Sequence, residues 1–103
     1  MPNSINFTNG EFDDFTLIDE GSSGIRLNCY LEGSITGGAG TECFHKIRGD
    51  DLVRFLAAMQ VSSVVELFRI ADEFDVGEWR ALHRTSHQFS TEVFVWNETN
   101  WDD

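Results

Sequence analysis

Apolar and polar residues alternate with a period of two from Ile25 to Glu32. Ile25, Leu27, Cys29 and Leu31 fall on one side, and Arg26, Asn28, Tyr30 and Glu32 on the other. That period is the signature of a half-buried strand. Residues 42–48 (Glu42, Cys43, Phe44, His45, Lys46, Ile47, Arg48) read as its hairpin partner, across a glycine-rich tip from Gly33 to Gly40. A hairpin centred near Gly38 pairs Cys29 with a residue near Ile47. This predicts two reduced, separated thiols and no disulfide. Residues 12–20, with Phe12, Phe15, Leu17 and Ile18 set among acids, read as a preceding strand, closed by the turn cluster Asp19 to Gly24.

The period changes at Gly49. Leu52, Phe55, Leu56 and Met59 recur at helical spacing, so a helix is predicted from an Asp50 N-cap to about Gln60. Ser63-Val64-Val65-Glu66 fits a capping box before a second helix through Phe74. A strand also fits the alternation of Val64, Glu66, Phe68 and Ile70, but Ala71-Asp72-Glu73 disfavours it. Asp75 to Gly77 reads as a break, and Glu78 to His83 as a short third helix. Residues 89–96 are rich in β-branched and aromatic residues and read as a last strand. Residues 97–103 read as a frayed polar tail. The order predicts one α+β domain spanning residues 1–103. Its antiparallel sheet is a three-strand meander plus the C-terminal strand, with two or three helices on one face.

Charge then narrows the function. The chain carries 18 acidic and 7 basic residues, for a net charge of −11. Phosphate-binding surfaces are basic, so direct nucleic-acid binding is not expected, and anionic membranes are disfavoured for the same reason. No apolar run reaches the roughly 18 residues of a membrane span. The first ten residues lack an apolar signal core, so cytoplasmic placement is the expectation.

Candidate chemistry is sparse. His83 and His87, at i and i+4, fall on one helix face and are the weak metal candidates. Cys43 and His45 share a strand face, with Cys29 within possible reach. No CxxC or HExxH spacing accompanies them, so neither metal nor cofactor is expected. A nucleophile needs a base, an orienting group and oxyanion donors; nothing in the chain marks these, and no catalytic residue is expected. The paired acids sit in turns and helix starts, where carboxylates are solvated. What remains is their distribution. Residues 1–22 hold Glu11, Asp13, Asp14, Asp19 and Glu20 without a base, and Asp72, Glu73, Asp75 and Glu78 cluster later. Clustered carboxylates steer encounter with a basic partner, and their spacing can mimic the phosphates of a nucleic acid. Trp101, in the tail, is the most plausible exposed aromatic anchor. These ten residues form the candidate partner-binding set.

The segment Phe44 to Met59, FHKIRGDDLVRFLAAM, resembles the strand-to-helix junction of immunity-type domains. In length, acidity and element order the chain resembles small acidic bacterial immunity proteins and phage anti-defence inhibitors of the anti-CRISPR type. The resemblance implies a non-enzymatic inhibitor of a basic, nucleic-acid-handling protein, such as a nuclease toxin or a CRISPR or other defence effector. It assigns no functional residue. Two alternatives are an adaptor or subunit module with an apolar interface, and a small metal- or ligand-binding domain.

Overall fold

The computed structural model describes residues 3–8, 13–31 and 41–97. Five strands form one antiparallel sheet in chain order: β1 (Ser4–Thr8), β2 (Asp13–Asp19), β3 (Ile25–Leu31), β4 (Thr41–Ile47) and β5 (Glu92–Asn97). Three helices, α1 (Gly49–Ala58), α2 (Val64–Ala71) and α3 (Val76–Phe89), lie between β4 and β5 in sequence. The α+β class and the antiparallel meander are as predicted. The hairpin tip Gly33 to Gly40, and residues Glu11, Phe12 and 98–103 with Trp101, lie outside the described residues.

One face of the sheet carries the core. Phe15, Leu17, Ile25, Leu27, Cys29, Cys43 and Ile47 are buried there, against Phe55, Leu67, Ala71, Trp79 and Leu82 from the helices. Burying each large side chain contributes about 1.5–3 kcal/mol. Trp79 is the hub. Its ring stacks on Phe7 at 6.0 Å and Phe15 at 5.8 Å, and meets Phe74 edge-on at 5.7 Å.

The β3–β4 register differs from expectation. Ile25 pairs with Ile47, and Cys29 stands directly opposite Cys43. Opposed Cα atoms in an antiparallel pair are about 4.5–5.5 Å apart, within disulfide range, yet the two cysteines are not joined by a disulfide. Gly24 helps to fix this register. It sits at φ 96°, and a Cβ there would lie 2.2 Å from the carbonyl oxygen of Ile47. Only glycine permits that approach, and it holds Ile25 beside Ile47.

Several boundaries also move. Strand β1 was not anticipated, because SINFT offers only two apolar positions; pairing with β2 gives Phe7 its place on Trp79. Asp50 lies within the first turn of α1, and the N-cap is Arg48, without a side-chain bond. The helix ends in a Schellman arrangement: Gln60 is left-handed at φ 61°, with Gln60 N–H on Ala57 and Val61 N–H on Leu56. Ser63 caps α2 as expected, accepting from the Glu66 amide at 3.1 Å. The third helix is far longer than predicted. Asp75 is its N-cap in a full capping box with Glu78, which overrides Gly77 and carries the helix through Phe89. The last strand accordingly starts at Glu92.

Candidate functional site

Two regions bear chemistry. The first is buried beneath α3. Alternation along β4 turns Cys43, His45 and Ile47 toward the helices. Above them, Trp79, Leu82 and Ser86 form the buried stripe of α3. His83 is half-buried beside that stripe, and His87 is exposed. All three histidines of the chain meet here. The His45 ring lies 5.1 Å from His83 and 5.4 Å from His87, edge-on to both. One ligand atom from each of Cys43, His45 and His83 falls within 4.8 Å of the other two.

The hydrogen bonds settle the state of His45. Its Nδ1 lies 3.0 Å from Ser90 Oγ. That hydroxyl spends its proton on the Ser86 carbonyl at 2.5 Å. Ser90 Oγ can therefore only accept from His45, so Nδ1 carries the ring proton and Nε2 keeps a lone pair. Among the described residues that Nε2 is buried without a hydrogen-bond partner, and so is Ser86 Oγ. Burial, aided by His83 and His87, lowers the His45 pKa to about 4. Burial also raises the Cys43 thiol, with Glu42 adding to it. At neutral pH the imidazole is thus uncharged and the thiol protonated.

The second region is electrostatic. Asp72, Glu73, Asp75 and Glu78 are all exposed across the α2–α3 turn. The Phe74–Trp79–Phe15 contacts hold that turn against β1 and β2. Asp14, next to Phe15, is exposed and accepts from Asn6 Nδ2 at 2.8 Å. Asp13 precedes it at the start of β2. Asp14 alternates with the buried Phe15 and so faces away from the helices, beside Thr16, Asn28 and Tyr30, apart from the α2–α3 acids. Asp19 and Glu20 do not join Asp13 and Asp14. Six residues of extended chain, about 20 Å, separate Asp13 from Asp19. Asp19 and Glu20 instead line an open groove with Arg26, Lys46 and Arg48, three of the seven basic residues. There Asp19 accepts from the Gly21 amide, and Glu20 pairs with Arg26 at 3.6 Å. Ion pairs among the described residues also take up Glu92 with Arg48, Asp51 with Arg54 and Glu66 with Arg69. Asp14, Asp72, Glu73, Asp75 and Glu78 belong to none of these pairs. Arg26, Lys46 and Arg48 gather in the groove, while Arg80 lies on α3 two residues beyond Glu78.

No family model, curated protein or solved structure matches the chain. The candidate partner-binding set thus divides into Asp72, Glu73, Asp75 and Glu78 across the α2–α3 turn, Asp13 and Asp14 at the start of β2, and Asp19 and Glu20 in the groove. Glu11 and Trp101 lie outside the described residues. For the metal candidates, sequence spacing placed His83 and His87 together, and Cys43 with His45, as two separate pairs. Sequence reasoning missed their union, and it missed Ser86 and Ser90, whose i, i+4 spacing was the available signal. No helix among the described residues is long and apolar enough to cross a membrane.

Proposed function

We propose that this protein is a non-enzymatic inhibitor that docks its acidic α2–α3 turn on the working surface of a basic, nucleic-acid-handling protein. An immunity protein against a nuclease toxin, or a phage anti-defence protein, acts in this way. The observation that carries the reading is the run of four exposed acids, Asp72, Glu73, Asp75 and Glu78, across the α2–α3 turn. A carboxylate array of this kind raises the encounter rate with a basic groove and competes there with phosphates.

The test begins with capture of a partner at low salt. The partner's nuclease or nucleic-acid-binding activity is then assayed with wild type and two variants. Asp72→Asn combined with Glu73→Gln should weaken inhibition tenfold or more, and raised salt should do the same. Asp19→Asn combined with Glu20→Gln should change it little. Equal potency of wild type and the Asp72/Glu73 variant, or a complex indifferent to salt, sinks the reading.

One observation favours an adaptor module instead. The edge strand β5 exposes Val93, Phe94 and Val95 at 45%, 74% and 56%. An interface there would be apolar and insensitive to salt. Phe94→Asp would abolish it and leave an acidic contact intact.

A further inference from the structure

We propose that Cys43, His45 and His83 form a binding site for a divalent metal ion of the zinc class, buried between β4 and α3. The site is independent of the docking surface. Three observations converge on it.

The first is proximity. The three ligand atoms, one sulfur and two ring nitrogens, lie within 4.8 Å of one another. In a tetrahedral zinc centre, ligand atoms stand about 3.3–3.8 Å apart. The cluster must close by about 1–1.5 Å to hold an ion.

The second is the orphaned Nε2 of His45. It is a fully buried acceptor facing no donor. Such a buried acceptor without a donor is destabilising in a folded protein, and coordination of a cation removes the deficit.

The third is the support around His45. Its Nδ1–H is held by Ser90, which is anchored in turn on the Ser86 carbonyl. A histidine that donates one ring N–H to a fixed acceptor presents the other nitrogen as a ligand with a set tautomer and orientation.

Donor chemistry names the ion. One thiolate and two imidazoles suit zinc and its neighbours, and they reject magnesium and calcium, which take oxygen ligands. His87, exposed and edge-on to His45, marks the solvent side, where a water or that ring completes the coordination. On binding, the Cys43 S–H bond breaks and its proton passes to solvent. The sulfur lone pair then forms the metal–sulfur bond, with no change in oxidation state.

Cobalt is the probe, because its spectrum reports both sulfur ligation and geometry. Tag-free, full-length protein is titrated with Co²⁺ under a thiol-free reductant, which keeps Cys43 from oxidising with the facing Cys29. One equivalent should bind, with a thiolate-to-cobalt charge-transfer band and tetrahedral d–d absorption, and zinc should displace it. Cys43→Ser should lose the charge-transfer band, and Cys29→Ser should keep it. His83→Gln should weaken affinity at least tenfold, and Ser90→Ala about tenfold through the lost support of His45. Zinc in excess should raise the Tm of the wild type by about 10 °C. A saturated wild-type sample with only weak octahedral absorption and no sulfur band overturns the proposal, whether or not the variants fold. So does equal cobalt affinity in wild type and His83→Gln, which would place the ion on surface carboxylates.

Discussion

Helix α3 presents two different halves to the same sheet. Its first half sets Trp79 and Leu82, both fully buried, against Phe7, Phe15 and the aliphatic centre. Its second half, one turn further on, sets Ser86 and the histidines against Cys43 and His45. The first half is apolar and holds the fold together. The second buries polar atoms, two of them without partners, where a leucine would serve packing better. A fold that retains such atoms at its centre loses stability for a property packing does not need, which is where a ligand site is to be sought.

The largest expected effect breaks the first half. Trp79→Ala and Leu82→Ala should each cost about 3–5 kcal/mol, read from denaturant unfolding monitored by circular dichroism. At a typical total of 5–15 kcal/mol, the Trp79 variant alone could leave much of the chain unfolded. Losses below about 1 kcal/mol would show that the aromatic hub does not hold the helices to the sheet.

The next effect belongs to the second half. The His45 pKa falls from 6.5 unfolded to about 4 folded. Between those values the unfolded state binds the extra proton, so lowering the pH favours unfolding. The contribution is fully present above about pH 6.5 and lost as the pH falls through 4, and it amounts to about 3 kcal/mol. Unfolding of the metal-free protein at pH 7, 5.5 and 4.5 measures it. His45→Gln should flatten this part of the profile, and an unchanged slope would contradict the burial of a neutral imidazole.

The smallest effect is the sharpest contrast. Ser86→Ala, one turn after Leu82, removes a buried hydroxyl that has no partner. It should be neutral or stabilising by up to about 1 kcal/mol in the metal-free protein, while Leu82→Ala is strongly destabilising. A cost above about 2 kcal/mol for Ser86→Ala would mean that the hydroxyl is satisfied by an ordered water.

Local rules carry most of the fold. The alternation from Ile25 to Leu31, the Ser63 cap and the dense β5 segment each point to the element observed. They do so because period and capping are properties of neighbouring residues. The length of α3 was also legible, in the spacing of Asp75 and Glu78, but Gly77 masked it. One glycine costs a helix about 1 kcal/mol, and a complete capping box with fourteen residues of packing outweighs that. Strand β1 was illegible for the opposite reason. SINFT has little preference of its own, and it is a strand because β2 offers a partner edge and Trp79 a surface for Phe7.

The sequence by itself determined the class of fold, the faces of its strands and helices, and the excess of negative charge. The tertiary structure alone decided what those faces bring together. It set Cys29 against Cys43 through the Gly24 approach, put Asp14 on the sheet face away from the α2–α3 acids, and brought three histidines and a cysteine together where α3 crosses β4. Each of these depends on strand register or on the path of a helix across a sheet. Both are fixed by contacts between residues distant in the chain, which no local period encodes.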